Sequence, residues 1–363
     1  MATHEVLIIG GGISGLMTAR ELAHAGIEVT LLERRTIGRE SSWAGGGILS
    51  PLSPWNMPDA ITALSLWSQA AYPGLAEELI QNTGIDPEWE QSGLLFKNCG
   101  QSEQATSWCV RHQVVFERGI SSESALYLPQ IAHIRNPRLL KALRAELEQR
   151  SNVRLLEQHA VESAVIRHDR VQSIITGQGE FKVDKAILTA GAWSGVLGAS
   201  FHLDIPIQPV KGQMIVFAAV HGLLHPILLN DGKYLIPRRD GHILAGSTLE
   251  YTGFDKESTE QAYGELSGFA YAELPALRDY PIEKHWAGLR PGSPQGIPYI
   301  GVHPGLSNLY VNCGHYRNGL VMAPASARLL ADILLGRSSE IDAAPYRIIE
   351  RSSEAPYNKA MPE

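Results

Sequence analysis

The chain is poor in cysteine. Three among 363 residues, Cys99, Cys109 and Cys313, are odd in number and show no C-x-x-C spacing, so neither a disulfide framework nor a zinc site is expected. Each reads as a small buried apolar residue, and a reducing cytoplasm is the expected compartment. Basic charge is also in deficit. The net charge is −7, whereas nucleic acids and anionic membranes require a basic face. Long apolar runs are missing too. The longest, Met214 to Val220, is strand-sized and well short of the ~20 residues that span a bilayer, so no membrane insertion is expected. The opening MATHEVLIIGGG has no basic n-region and its apolar run breaks at glycine, so no signal peptide is expected. No low-complexity segment or internal repeat interrupts the chain. Apolar and charged residues stand at 44% and 19%, an ordinary globular balance. At roughly 150 residues per domain the length suggests two domains.

What is present begins at residue 5. EVLIIGGGISGLMTARELAHAGIEVTLLER reads as an apolar strand (Val6 to Ile9), a glycine turn, an Ala/Leu helix and a second strand (Glu28 to Leu32) ending in Glu33. Gly10, Gly12 and Gly15 fit G-x-G-x-x-G: the first permits the tight turn, the second admits a pyrophosphate to the backbone, and the third packs helix on strand. The opening helix, from Ile13 and Ser14, then aims free N–H groups and its positive dipole end at the phosphates. Glu33, 18 residues after Gly15, stands where an acid grips ribose hydroxyls. A dinucleotide site is expected.

Beyond Glu33 the chain does not proceed to a third strand but runs RRTIGRESSWAGGGILSP, a polar, glycine-dense loop from Arg34 to Pro51. Ser41 and Ser42 offer hydroxyls to phosphates, and Gly45, Gly46 and Gly47 let backbone lie against a planar ring. A nicotinamide enzyme continues its β-α repeat, whereas a loop of this kind suits the long FAD molecule, so FAD is the expected dinucleotide. No second G-x-G-x-x-G is found: the clusters at Gly177–Gly179 and Gly191–Gly195 lack the third glycine. Without a nicotinamide site, a flavin is reduced directly by its substrate and passes electrons to oxygen, a quinone or a carrier protein.

Further along, a helix is expected over Pro137 to Gln149, a strand over Val153 to Leu156, and a hairpin from His159 to Arg167 and Val171 to Thr176, with turn residues His168 to Arg170. Strand Lys185 to Thr189 follows, then the small-residue turn Ala190-Gly191-Ala192. Two interleaved stretches differ from this pattern. Leu64 to Val115 is helical, then strand-like. Ile205 to Glu250 reads as alternating strands, with KYLIPRR and HILAGST paired across Arg239-Asp240-Gly241. The expected fold is therefore α/β: a two-dinucleotide-binding, Rossmann-like domain with an interleaved antiparallel-sheet (α+β) domain. The first would hold residues 1–63, 137–204 and 286–340, the second 64–136 and 205–285, with 341–363 as a tail.

Near the C-terminus, NCGHYRNGLVMAPASARLLADILLG combines a buried-helix pattern with a glycine-flanked, charged entrance. The helix is expected to begin near Gly319 and end at Gly336, with Pro324 tolerated in its first turn, where N–H groups lack intrahelical partners. Its N-terminus would stabilise negative charge on a reduced flavin, beside Arg317. In WAGLRPGSPQGIPYIG, Arg290 follows an apolar strand and precedes Pro291-Gly292. A planar guanidinium held by rigid backbone is the bidentate partner of a carboxylate.

These motifs, with SSWAGGGILSP, ILTAGAWSG, PVKGQM and YLIPRRDG, resemble the D-amino-acid-oxidase superfamily of flavoproteins over about Glu5 to Gly336. Within it they are most similar to the glycine-oxidase family of thiamin-thiazole biosynthesis. The resemblance implies that Arg290 anchors a substrate α-carboxylate, joined by the Tyr234 hydroxyl and Arg317. For FAD it implies contacts from Arg34, Gly46, Gly47, Ile48, Val161, Gly191 and the run His315, Tyr316, Arg317, Asn318, Gly319, Leu320 and Val321. Relatives with covalent flavin carry a cysteine near Leu289 to Gly292 or a histidine after Trp43. This chain has neither, so noncovalent FAD is implied. The implied reaction is hydride transfer from glycine, sarcosine or a small D-amino acid, with O2 as acceptor, in a homotetramer linked to thiazole synthase. A dehydrogenase serving a quinone or carrier, and a non-catalytic flavin-binding subunit, stand as alternatives.

Overall fold

The computed structural model describes residues 5–119 and 122–349, so the tail expected beyond residue 340 is described only as far as 349. The architecture is mixed α/β, as expected, and rests on two large sheets. A six-stranded sheet runs in the order Tyr299–Val302, Leu309–Cys313, Lys185–Leu188, Glu5–Ile9, Glu28–Leu32, Val153–Leu156. Its neighbours are parallel except for the edge strand Tyr299–Val302. Strands covered on both faces read as continuous Val/Ile/Leu runs, and EVLII does so. Val6 and Ile8 pack among the helices Ile13–His24, Asp59–Thr83, Asn136–Glu148 and Gly319–Leu335, while Leu7 and Ile9 meet Val171, Ile174 and Phe201 on the other face.

The second sheet has eight strands in the order Ile282–Gly292, Gln208–Phe217, Ile243–Gly246, Lys233–Pro237, Ile227–Asn230, Leu94–Phe96, Leu126–Leu128, Glu117–Arg118. All its pairings are antiparallel except Ile227–Asn230 with Leu94–Phe96. Its two faces bury separate cores, one around Phe96, Met214 and Ile236, the other against helix Glu260–Glu273. Helix Asp59–Thr83 and strand Ile282–Gly292 run without a break through positions 64 and 286.

Four local features differ from the sequence reading. The hairpin expected at 159–176 gains a third strand, Gly179–Lys182, too short and charged to announce itself. The loop after Glu33 contains one turn of helix, Ser41–Ala44. Arg290 lies inside strand Ile282–Gly292 rather than after it, and Pro291 is accommodated because this is an edge strand. Pro324 stands in the second turn of helix Gly319–Leu335, not the first. A proline there frees the carbonyl four residues back, and the Tyr72 hydroxyl donates to that Leu320 carbonyl, while Ala325 N–H donates to Ser68 Oγ at 3.0 Å. Helix Asp59–Thr83 thus repairs the break. The segment Tyr316–Leu335 is long and apolar enough to cross a bilayer, but 72% of it is buried inside the protein, as the central helix of a core.

Candidate active site

The carboxyl ends of the parallel strands converge on the glycine turn after Ile9. Gly15 packs so closely that a Cβ there would overlap the Gly10 carbonyl oxygen, so only glycine brings helix Ile13–His24 onto the strand. The Thr189 hydroxyl braces the turn from the neighbouring strand, donating to the carbonyls of Ile9 (3.0 Å) and Gly10 (2.9 Å). Glu33 is fixed by backbone: its carboxylate accepts from the N–H groups of Gly11 at 2.8 Å and Arg35 at 2.9 Å. Ile13 N–H donates to Ser42 Oγ at 3.0 Å, which ties the helix start to the glycine-dense loop. Arg34 pairs with Glu40 at 3.0 Å and lies 3.5 Å over the Trp193 ring.

The loop itself is held from behind. Arg238 donates to the Gly46 carbonyl at 2.7 Å, Asn136 Nδ2 to the Ser42 carbonyl at 2.8 Å, and Ile134 N–H to the Gly47 carbonyl at 2.9 Å. Arg238 is buried without a carboxylate partner among the described residues, and burial, with Arg135 nearby, pushes its pKa down to about 10.

Between loop, turn and both sheets lies a cavity of about 500 Å3. Gly10, Gly12, Ile13, Ser14, Glu33, Arg34, Ser41, Ser42 and Val161 line one part. Gly46, Gly47, Ile48, Gly191, Tyr234 and Arg290 line another, and His315, Tyr316, Arg317, Asn318, Gly319, Leu320 and Val321 close it. Of the residues expected from sequence, only Gly15 is off the wall, behind the turn. Two helices of twelve and seventeen residues begin there, neither capped by the side chain of its own N-cap residue. Three polar atoms of lining residues, Asn136 Oδ1, Asn312 Oδ1 and His315 Nε2, are buried without a partner among the described residues. Burial pushes the His315 pKa down to about 4, so the ring is neutral near pH 7. Tyr316 adopts φ +49°, a left-handed conformation that a bulky residue holds only where its surroundings enforce it.

At one end stand two cations. Arg290 reaches across strand Gln208–Phe217 at Gly212, where a Cβ would overlap its guanidinium. Its donors go to the carbonyls of Lys211 (3.3 Å) and Thr248 (3.2 Å) and to Ser247 Oγ (2.6 Å). Neither Arg290 nor Arg317 forms an ion pair among the described residues. Burial and the charge of Arg317 both lower the Arg290 pKa. Two unneutralised guanidiniums in a partly desolvated cavity leave room for an anion. The Tyr234 hydroxyl belongs to the same lining and donates to Met214 Sδ at 3.8 Å.

The cavity therefore combines a fingerprint turn, an acid at the end of the second strand, two helix N-termini and a flat glycine loop, and these residues suit FAD. Residues 5–333 match the family model described as FAD dependent oxidoreductase (DAO). The chain belongs to this family. This FAD-dependent oxidoreductase is 49% identical to a glycine oxidase of Pseudomonas aeruginosa, over 95% of this chain and 98% of that one. It is 33% identical to a bifunctional ThiO/ThiG protein of Synechocystis, over 92% of this chain and 52% of that protein. Its structure superposes on the crystal structure of glycine oxidase from Geobacillus kaustophilus with a TM-score of 0.88 and 28% identity, covering 96% of this chain and 100% of that one.

Sequence reasoning missed the residues that hold these groups in place. Gly212, Ser247 and Thr248 set Arg290, and Asn136 and Arg238 set the glycine loop. Gly212 lies in PVKGQM, Arg238 in YLIPRRDG, and Ser247 and Thr248 in HILAGST, but nothing in those motifs shows what the four residues brace. Ser247, Thr248, Asn136 and Arg238 act through contacts between positions 42 to 192 residues apart, which leave no local signal.

Proposed function

We propose that this flavoenzyme oxidises glycine, and other small amines such as sarcosine and small D-amino acids. For glycine, water and O2 the products are glyoxylate, ammonia and H2O2. FAD, when bound, accepts the Cα hydrogen with its electron pair and passes both electrons to O2. The observation that carries the reading is the pair of unneutralised arginines at the end of a dinucleotide cavity. On this reading Arg290 and Arg317 bind the substrate carboxylate and Tyr234 donates a further hydrogen bond. Held at that end, the amino acid has its Cα directed along the cavity. Such orientation alone is worth up to ~7–11 kcal/mol, and from substrate whose amine is neutral, its ammonium proton given to solvent, hydride can leave Cα without a side-chain base. Gly10, Gly12, Ser14, Glu33 and Ser42 would hold the nucleotide half, and the turn from His315 to Gly319 would supply N–H groups to the flavin's electron-rich edge.

The reading includes the discontinuous division expected from sequence, with 1–63, 137–204 and 286–340 holding FAD and 64–136 and 205–285 covering substrate. It also includes a homotetramer in a reducing cytoplasm, in keeping with three free, buried cysteines, and light scattering measures the assembly. Relatives that are bifunctional ThiO/ThiG proteins support the link to thiazole synthase. The test is anaerobic titration of purified holoenzyme with glycine, sarcosine and D-alanine, then admission of air. Bleaching by glycine and stoichiometric peroxide are expected. Bleaching without peroxide would make it a dehydrogenase, and no bleaching by any of the three would sink the amine reading.

A further inference from the structure

Lys211 is a charged side chain sealed from solvent, with 1% exposure, and the site as described does not use it. Burying an ammonium is costly unless it is paired. In the pairing of strands Gln208–Phe217 and Ile282–Gly292, Val210 stands opposite Arg290 and Lys211 opposite Leu289. Side chains alternate along a strand, so Lys211 and Gln213 point to the face away from Arg290 and Gly212. There Lys211 Nζ donates to Asp255 Oδ2 at 2.6 Å and to the Glu257 carbonyl at 3.1 Å, and lies 3.3 Å from Glu250 Oε2. Glu250 also accepts from Gln213 Nε2 at 2.9 Å and from the Thr248 hydroxyl. That hydroxyl in turn accepts from the Gln213 backbone N–H at 2.9 Å. The backbones of Lys211 and Glu250 exchange hydrogen bonds of 2.9 and 3.0 Å.

The same short stretch has a front side. The carbonyls of Lys211 and Thr248, with Ser247 Oγ, are the three acceptors that hold Arg290. We propose that Lys211, acting through Glu250 and Thr248, is a positioning residue that fixes the carboxylate anchor Arg290 from the far face of the sheet. This rests on the reading of Arg290 as that anchor. The clasp pulls the Thr248 side chain backward, which turns its carbonyl forward onto the guanidinium. Burial pulls the Lys211 pKa down, but the bonds to Asp255 and Glu250 outweigh it and leave the pKa raised, so the clasp is charged throughout the working pH range. Without the ammonium, Glu250 and Asp255 repel, residues 247–250 lose their fastening, and two of the three acceptors of Arg290 shift.

A double-mutant cycle on the holoenzyme separates this role from a merely structural one. The dissociation constant of glycolate, a small carboxylate without an amine, is read from perturbation of the flavin spectrum in wild type, Lys211→Met, Arg290→Met and the double variant. Misplacement of about an ångström is worth up to about a hundredfold. Lys211→Met is therefore expected to slow anaerobic reduction by saturating glycine by up to about a hundredfold and, because the same guanidinium holds the carboxylate, to weaken glycolate binding about tenfold. In the Arg290→Met background the effect of Lys211→Met should vanish, because coupled residues are non-additive. A Lys211→Met effect that persists undiminished without Arg290, or wild-type binding in Lys211→Met, overturns the proposal. Should Lys211→Met fail to load FAD, Thr248→Val enters the same cycle with the same expected loss, and unchanged binding there overturns it equally. If Arg290→Met alone leaves glycolate binding intact, it is the reading of the anchor that falls.

Discussion

Arg290 and Gly212 form one packed unit at the scale of single residues, since the guanidinium occupies the space a Cβ on Gly212 would need. Losing a charge-assisted hydrogen-bonding partner costs about 1.5–3 kcal/mol, so Arg290→Met should raise KM for glycine roughly tenfold to a hundredfold. Steady-state kinetics in the peroxide assay measure it. Gly212→Ala should move KM in the same direction although it removes no polar atom, and unchanged kinetics there would mean that the guanidinium adapts. Tyr234→Phe removes one neutral hydrogen bond, about 0.5–1.5 kcal/mol, and should raise KM by about tenfold at most. Arg290 was legible as a fork of donors before a rigid Pro-Gly turn and Tyr234 through the resemblance, whereas Gly212 was not. The groups that aim them, Ser247 and Thr248, were not, because hydroxyl residues of that kind occur throughout the chain and only the sheet register selects these two.

Among the elements, helix Gly319–Leu335 was readable at both ends, yet the way it tolerates Pro324 was not. The remedy lies on helix Asp59–Thr83, where Tyr72 and Ser68 satisfy the groups the proline disturbs. Leaving a buried carbonyl without its donor costs about 1–3 kcal/mol. Tyr72→Phe should therefore lower stability by that amount, measured by urea unfolding of the holoenzyme, while Pro324→Ala in the Tyr72→Phe background should recover part of the loss by restoring the donor within the helix. The fingerprint unit was legible for the opposite reason: strand, turn, helix and acid follow one another within thirty residues, so local pattern and tertiary contact coincide. Strand Gly179–Lys182 lacked such a signal. Its residues are mostly exposed, and its place comes from the partner strand rather than from its own apolar pattern.

The whole molecule couples the site to stability. His315 and His133 are held neutral by burial, with pKa values pushed down to about 4 and about 3. An unfolded chain binds protons on these rings as pH falls through about 6.5, before the folded protein does. Their contribution is therefore fully present above about pH 6.5 and is lost progressively as pH falls toward 4 and 3. Melting temperature should drop over that window, and His133→Gln with His315→Gln should flatten the slope even if it lowers the plateau. Ligand linkage acts in the other direction: FAD at about one hundred times its dissociation constant should stabilise the apoprotein by about 2.7 kcal/mol, read as a shift in urea midpoint. The cavity that makes this coupling draws its wall from Ile9 to Val321, and strand Leu309–Cys313 enters the sheet between Lys185–Leu188 and Tyr299–Val302. Consequently residues 290–335, made long after the fingerprint turn, contain both arginines, the central helix and a strand interior to the sheet. A growing polypeptide has the fingerprint turn early but cannot close the pocket until Val321 has been made, so complete cofactor binding waits on that helix.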